Sequence, residues 1–143
     1  ANFGLTLDLG HTLMAGENPA QSVAMVHALA GEDKLFGVQL GDGPTRSGED
    51  GLAFGSVHES AAFEFVYWLR KTAFHRHGGH IYFDTFPRNE DARRECEYNI
   101  RQFKRLWARA GRWLKDPKLD EIRKKQDAMG LLEYQEDEMM HKD

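Results

Sequence analysis

Three apolar, strand-length segments, each ending in polar side chains and each followed by a helix-length stretch, narrow the possible folds of this chain most. They are residues 5–11 (LTLDLGH), 35–42 (LFGVQLGD) and 80–86 (HIYFDTF). Strand then helix, three times over, is the pattern of a parallel sheet with crossover helices, an α/β fold. In such sheets the C-terminal ends of the strands share one face, where ligands bind and chemistry is done. Asp8 and His11, Gln39 and Asp42, and Asp84 all fall at those ends.

The connecting segments carry their own punctuation. Asn18 can cap a helix and Pro19 suits its first position, where a missing N–H does no harm; the helix runs to about Ala30 and Gly31 ends it. The second strand is nearly all apolar up to Gln39, as expected for a strand covered on both faces. After it comes a polar, glycine-rich loop over 41–51, too long for a simple connection and so a candidate functional loop. Ser56 and Glu59 have capping-box spacing, with Phe63, Val66, Tyr67 and Leu69 behind them; that helix ends near Phe74, before Gly78 and Gly79. Asn89 is placed to cap a long helix whose apolar stripe is Ala92, Cys96, Ile100, Phe103, Trp107 and Ala110. The chain divides at residue 111. Residues 112–143 form a charged helical extension, with one or two amphipathic helices built on Leu119, Ile122, Met129, Leu132 and Met139.

Composition removes several function classes. The 143 residues are one domain's worth of chain. With 23 acidic and 19 basic residues the net charge is −4, so nothing attracts the chain to nucleic acid or to an anionic membrane. No apolar run is long enough to span a bilayer, and the start lacks a signal-peptide pattern. The single cysteine, Cys96, rules out an internal disulfide; on the apolar stripe it reads as a buried, inert thiol. A reducing, cytoplasmic setting is the expectation.

The polar strand ends are where chemistry is expected. Asp8 and His11 offer a carboxylate and an imidazole, which suit Mn²⁺, Co²⁺, Mg²⁺ or Zn²⁺ if the chain turns at Gly10. The alternative is that Asp8 caps a turn while His11 bonds to backbone. Gln39 is an amide where a buried strand would hold Val or Ile, so it needs a hydrogen bond or a cation. Asp84 repeats the theme in the third strand. Asp42 and Glu49 in the long loop are candidates for a second cation or for substrate hydroxyls. His75, His77 and His80 lie at the opposite end of the sheet and read as exposed loop residues.

The segments LTLDLGHTLMAGENP, LFGVQLGDG with its acidic loop, and IYFDTFPRNED resemble the last three βα units of the xylose isomerase-like TIM-barrel superfamily. The resemblance covers about residues 3–110, and Asp-x-x-His and Phe-Asp-x-Phe-Pro are its most specific elements. It implies the C-terminal βαβαβα portion of a (β/α)8 barrel, in a divalent-metal-dependent sugar isomerase or epimerase. The metal would be held by Asp8, His11, Gln39 and Asp84, with His11 and Glu49 catalytic and Asp42 on the substrate. Where rhamnose isomerase-like members have an Asp-x-Asp pattern, this chain has Glu49-Asp50-Gly51. Three strands alone leave an open sheet edge and one whole apolar inner face. The implied partners are therefore a small sugar and the remainder of the barrel or further copies of the chain. A non-catalytic, barrel-derived binding or assembly module is the competing reading.

Overall fold

The computed structural model describes residues 2–44 and 51–140, and Glu49 and Asp50 lie outside the described residues. The protein is mixed α/β, with six α-helices and one three-stranded parallel sheet among the described residues. The chain forms two compact units, residues 1–110 and 111–143.

In the first unit, β1 (Leu5–Asp8), β2 (Leu35–Leu40) and β3 (His80–Phe83) lie in sequence order, all parallel. Helix α2 (Pro19–Leu29) crosses from β1 to β2, and α3 (Glu59–Lys71) crosses from β2 to β3. The short helix α1 (Leu9–Met14) starts where β1 stops, so Asp8 is both the last strand residue and the helix N-cap. Gly10 therefore sits inside a helix and not at the expected turn. The α2 start is as expected: Asn18 accepts from the Gln21 N–H at 2.9 Å and Pro19 takes the first helical position.

The register decides what each sheet face offers. Leu7, Val38 and Ile81 are paired, as are Asp8, Gln39 and Tyr82. Because side chains alternate, Leu7, Val38, Leu40, Ile81 and Phe83 share one face, where Val38 and Leu40 are fully buried. The opposite face carries Thr6, Asp8, Gln39, His80 and Tyr82. Thr6 and His80 there are exposed, and Tyr82 is 43% exposed. Two expectations change here. The second strand is covered on one face only, and the uncovered face is polar and aromatic instead of apolar. A register shift between Leu5 and Thr6, where Leu35 and Gly37 are the successive partners, leaves Phe36 as an extra residue.

Helix α4 (Ala92–Trp113) follows β3. Its cap is Asp91, whose Oδ1 accepts the Arg94 N–H at 2.9 Å, two residues beyond the expected Asn89. The buried face is also displaced from the expected stripe. Glu95, Asn99, Gln102, Leu106 and Ala110 are buried, whereas Ala92, Cys96 and Ile100 are exposed. The thiol of Cys96 is thus at the surface. Periodicity finds apolar residues, but the N-terminal half of α4 buries polar ones, because Asn99 is needed as a hydrogen-bond partner for neighbouring loops. Its Oδ1 accepts the Phe54 N–H at 2.8 Å, and its Nδ2 donates to Thr85 Oγ1 at 3.3 Å.

The second unit contains the end of α4 and two further helices, α5 (Pro117–Lys124) and α6 (Ala128–Met140). Trp113 packs edge-on against Tyr134 at 5.6 Å and donates its indole N–H to Glu138 at 3.0 Å. Leu119 is fully buried, while Met129, Leu132 and Met139 are exposed. No helix among the described residues is long and apolar enough to cross a membrane.

Candidate functional site

Asp8, Gln39 and Asp84 meet at one end of the open sheet face. Asp8 and Gln39 are register partners on adjacent strands. Asp84 follows β3 directly and keeps its alternation, since its N–H bonds to the Leu40 carbonyl at 3.0 Å. It therefore faces the same way as Tyr82 and Gln39. Gln39 Nε2 donates to Asp84 Oδ2 at 3.0 Å. The amide that had no apolar reason to be in the strand thus spends its donor on a carboxylate and keeps its carbonyl oxygen for another partner. Asp8 and Asp84 flank Gln39 on the two outer strands, but Asp84 lies two residues beyond Tyr82, the register partner of Gln39, so the two backbones are roughly 12 Å apart: two strand spacings across and two residues along.

Asp8 has a second duty. Its Oδ1 accepts the His11 N–H at 2.9 Å as the α1 cap. Its Oδ2 is shielded from solvent and lies 2.8 Å from His11 Nδ1, at ion-pair distance. The His11 ring is 61% exposed and is held beside a carboxylate that is only 13% exposed. Asp8 caps, as one of the two readings of this pair expects, and its second oxygen faces the His11 imidazole.

Asp42 does something the sequence did not suggest. It is fully buried, and four donors converge on it. Oδ1 accepts from the Gly43 N–H at 2.8 Å and lies 2.7 Å from His58 Nδ1; Oδ2 accepts from the Val57 and His58 N–H groups, both at 2.8 Å. A carboxylate can only accept, so His58 Nδ1 carries the proton. The expected contact between Asp42 and substrate hydroxyls has no uncommitted oxygen to be made with. Asp42 instead ties the start of the long loop to the start of α3, where His58 is the N-cap and gives no side-chain cap of its own. The expected Ser56/Glu59 capping box is replaced by this carboxylate from 16 residues away.

The loop mouth is closed by backbone as well. Asp42 and Leu52 exchange both N–H···O bonds at 3.0 Å, and Phe86 N–H bonds to the Gly51 carbonyl at 2.8 Å. Gly41 is needed in this packing, because a Cβ there would come within 2.8 Å of the Asp84 carbonyl oxygen. Gly51 has φ +90°, and a Cβ would meet the Phe86 ring at 2.4 Å. The backbone that carries Asp84 is thereby held against the end of β2. Glu49, the other expected catalytic residue, lies outside the described residues.

The histidines at 75, 77 and 80 are exposed. His75 packs edge-on against Trp107 at 5.3 Å, and His80 opens β3 at the end of the sheet away from Asp84. Among the described residues no group of three or more His, Cys, Asp or Glu side chains is gathered as a metal cluster. The Asp8–Gln39–Asp84 set has two carboxylates with an amide between them. No known protein family and no curated protein matches the chain.

Proposed function

We propose that residues 1–110 are the βαβαβα part of a (β/α)8 barrel belonging to a divalent-metal-dependent sugar isomerase or epimerase. The observation that carries this reading is the Gln39–Asp84 hydrogen bond at the C-terminal strand ends, with Asp8 in register beside it. One further feature is compatible with it: among the described residues β1 and β3 each pair on one side only, so both sheet edges are open to the further strands a barrel needs.

The donor set fits a hard or borderline cation. Gln39 has its carbonyl oxygen to give and Asp84 its second oxygen, while Asp8 Oδ2 would be shared between the cation and the His11 ring. Such a cation would supply Lewis-acid chemistry there, polarising the substrate carbonyl so that hydrogen can move between neighbouring carbons. Gln39 orients Asp84 through the 3.0 Å bond, and Asp8 orients the His11 ring. His11, exposed and carboxylate-supported, is placed to hold and pass a proton on the substrate side.

The test is a manganese titration of the 143-residue chain followed by electron paramagnetic resonance, run beside an aldose–ketose interconversion screen. Saturable binding that weakens about tenfold in Asp8→Asn supports the metal reading. No Mn²⁺ binding in the wild-type chain and no interconversion of any sugar would favour the barrel-derived binding module instead.

A further inference from the structure

A groove of about 600 Å³ runs between residues 53–56 and the first turns of α4, outside the site described above. Its charges are unequally committed. Glu90 accepts the Arg88 and Asn89 N–H groups at 2.9 and 3.0 Å, Asp91 caps α4, and Glu97 pairs with Arg93 at 3.1 Å. Three charges in the lining have no such partner. Arg94 and Arg101 make no side-chain hydrogen bond or ion pair among the described residues. Glu95 is only 8% exposed, and its Oε1 is buried with no hydrogen-bond partner. Nor does it pair with the unused Nε2 of Gln102, two turns along the same buried helix face.

A buried carboxylate oxygen without a donor is costly, and the cost is best offset by a cationic donor. The exposed guanidinium groups of Arg94, the preceding residue, and Arg101, six residues on, offer the geometry that holds carboxylates. We propose that this groove binds a small zwitterion, with its ammonium on Glu95 and its carboxylate on Arg94 and Arg101. Ser56 and Tyr98 line the same groove and supply hydroxyls for the rest of such a molecule. An anion alone would leave Glu95 uncompensated, and an amine alone would leave both arginines unused. The ligand class is thus an amino acid whose two charged ends are separated by a short carbon chain. This inference stands apart from the sugar reading, because none of its residues belongs to the Asp8–Gln39–Asp84 set.

The experiment is calorimetric titration of the 143-residue chain with ω-amino acids, from glycine to 6-aminohexanoate. One chain length is expected to saturate with Kd below about 1 mM, and the matching ω-hydroxy acid and alkylamine to bind at least about tenfold more weakly. Glu95→Gln and Arg101→Gln should each weaken the preferred ligand by about tenfold or more. Glu95→Gln should also raise the melting temperature of the free chain, since it removes an unpaired buried charge. If that variant fails to fold, Arg101→Gln, at an exposed position, decides alone. No saturation at any chain length overturns the proposal. So does equal binding of the hydroxy acid, which would mean an anion site only, or unchanged affinity in Arg101→Gln.

Discussion

Asp42 and His58 are joined twice, by Oδ1 to the ring nitrogen at 2.7 Å and by Oδ2 to the backbone N–H at 2.8 Å. One buried carboxylate thereby fixes both the rotamer and the backbone of the residue that starts α3. Removing it strands several donors at once. Asp42→Ala should cost about 3–5 kcal/mol, the scale for losing one partner of a buried charge-assisted network. Asp42→Asn should cost less, because its remaining carbonyl can keep part of the set. Chemical denaturation of the two variants checks this, and a loss under about 1 kcal/mol for Asp42→Ala would show that the network does not hold the loop.

Asp84 is expected to matter to metal and not to folding. Asp84→Asn still offers an oxygen to Gln39 Nε2 but loses the charge that a cation needs. Mn²⁺ affinity should fall by about tenfold, or about 1.4 kcal/mol, while the metal-free melting temperature holds or rises. Replacing His75, His77 and His80 together with Gln should leave Mn²⁺ affinity within about twofold, since they sit at the other end of the sheet. Loss of binding in the histidine variant with retention in Asp84→Asn would put the site elsewhere.

Tyr134 should report on the second unit through its ionisation. Partial burial, and then its 2.7 Å hydrogen bond to Asp116, push the phenol up to about 12 from an ordinary value near 10. The folded chain therefore favours the protonated phenol. The associated stabilisation is fully present below the unfolded value and is lost as pH rises from about 10 through about 12. The same bond, together with the Lys118 N–H, holds the Asp116 carboxyl below its usual range. Ultraviolet titration of the phenolate should show a lower transition in Asp116→Asn than in the wild type. An unmoved transition would assign the shift to burial alone.

Cys96 should react in the native state. It is the one cysteine of the chain and lies exposed on α4. Titration with a thiol-specific reagent should count one thiol per chain before unfolding and the same number after it. Reaction only after denaturation would place the thiol back in the core.

Local signals were legible and remote ones were not. Asn18 and Pro19 announce α2 because cap and helix are neighbours in sequence, and all three strands stand out as apolar runs. The polar strand ends could be placed on one face because parallel topology fixes which way they point. The role of Asp42 could not be read, because its donors at 57 and 58 come from beyond the long loop. The buried face of α4 was misplaced for a related reason. Hydrophobic periodicity assigns Glu95, Asn99 and Gln102 to solvent, yet Asn99 is inside because the Phe54 N–H needs an acceptor there. Such demands arise from partners about half a domain away in sequence.

The double backbone bridge between Asp42 and Leu52 fixes the two points between which the chain runs from β2 toward α3. A connection anchored at both ends is cheap to lengthen, since doubling the number of residues between the anchors costs only about 0.6 kcal/mol in closure entropy. Chain length between those anchors can therefore change without endangering the strand ends that the anchors hold.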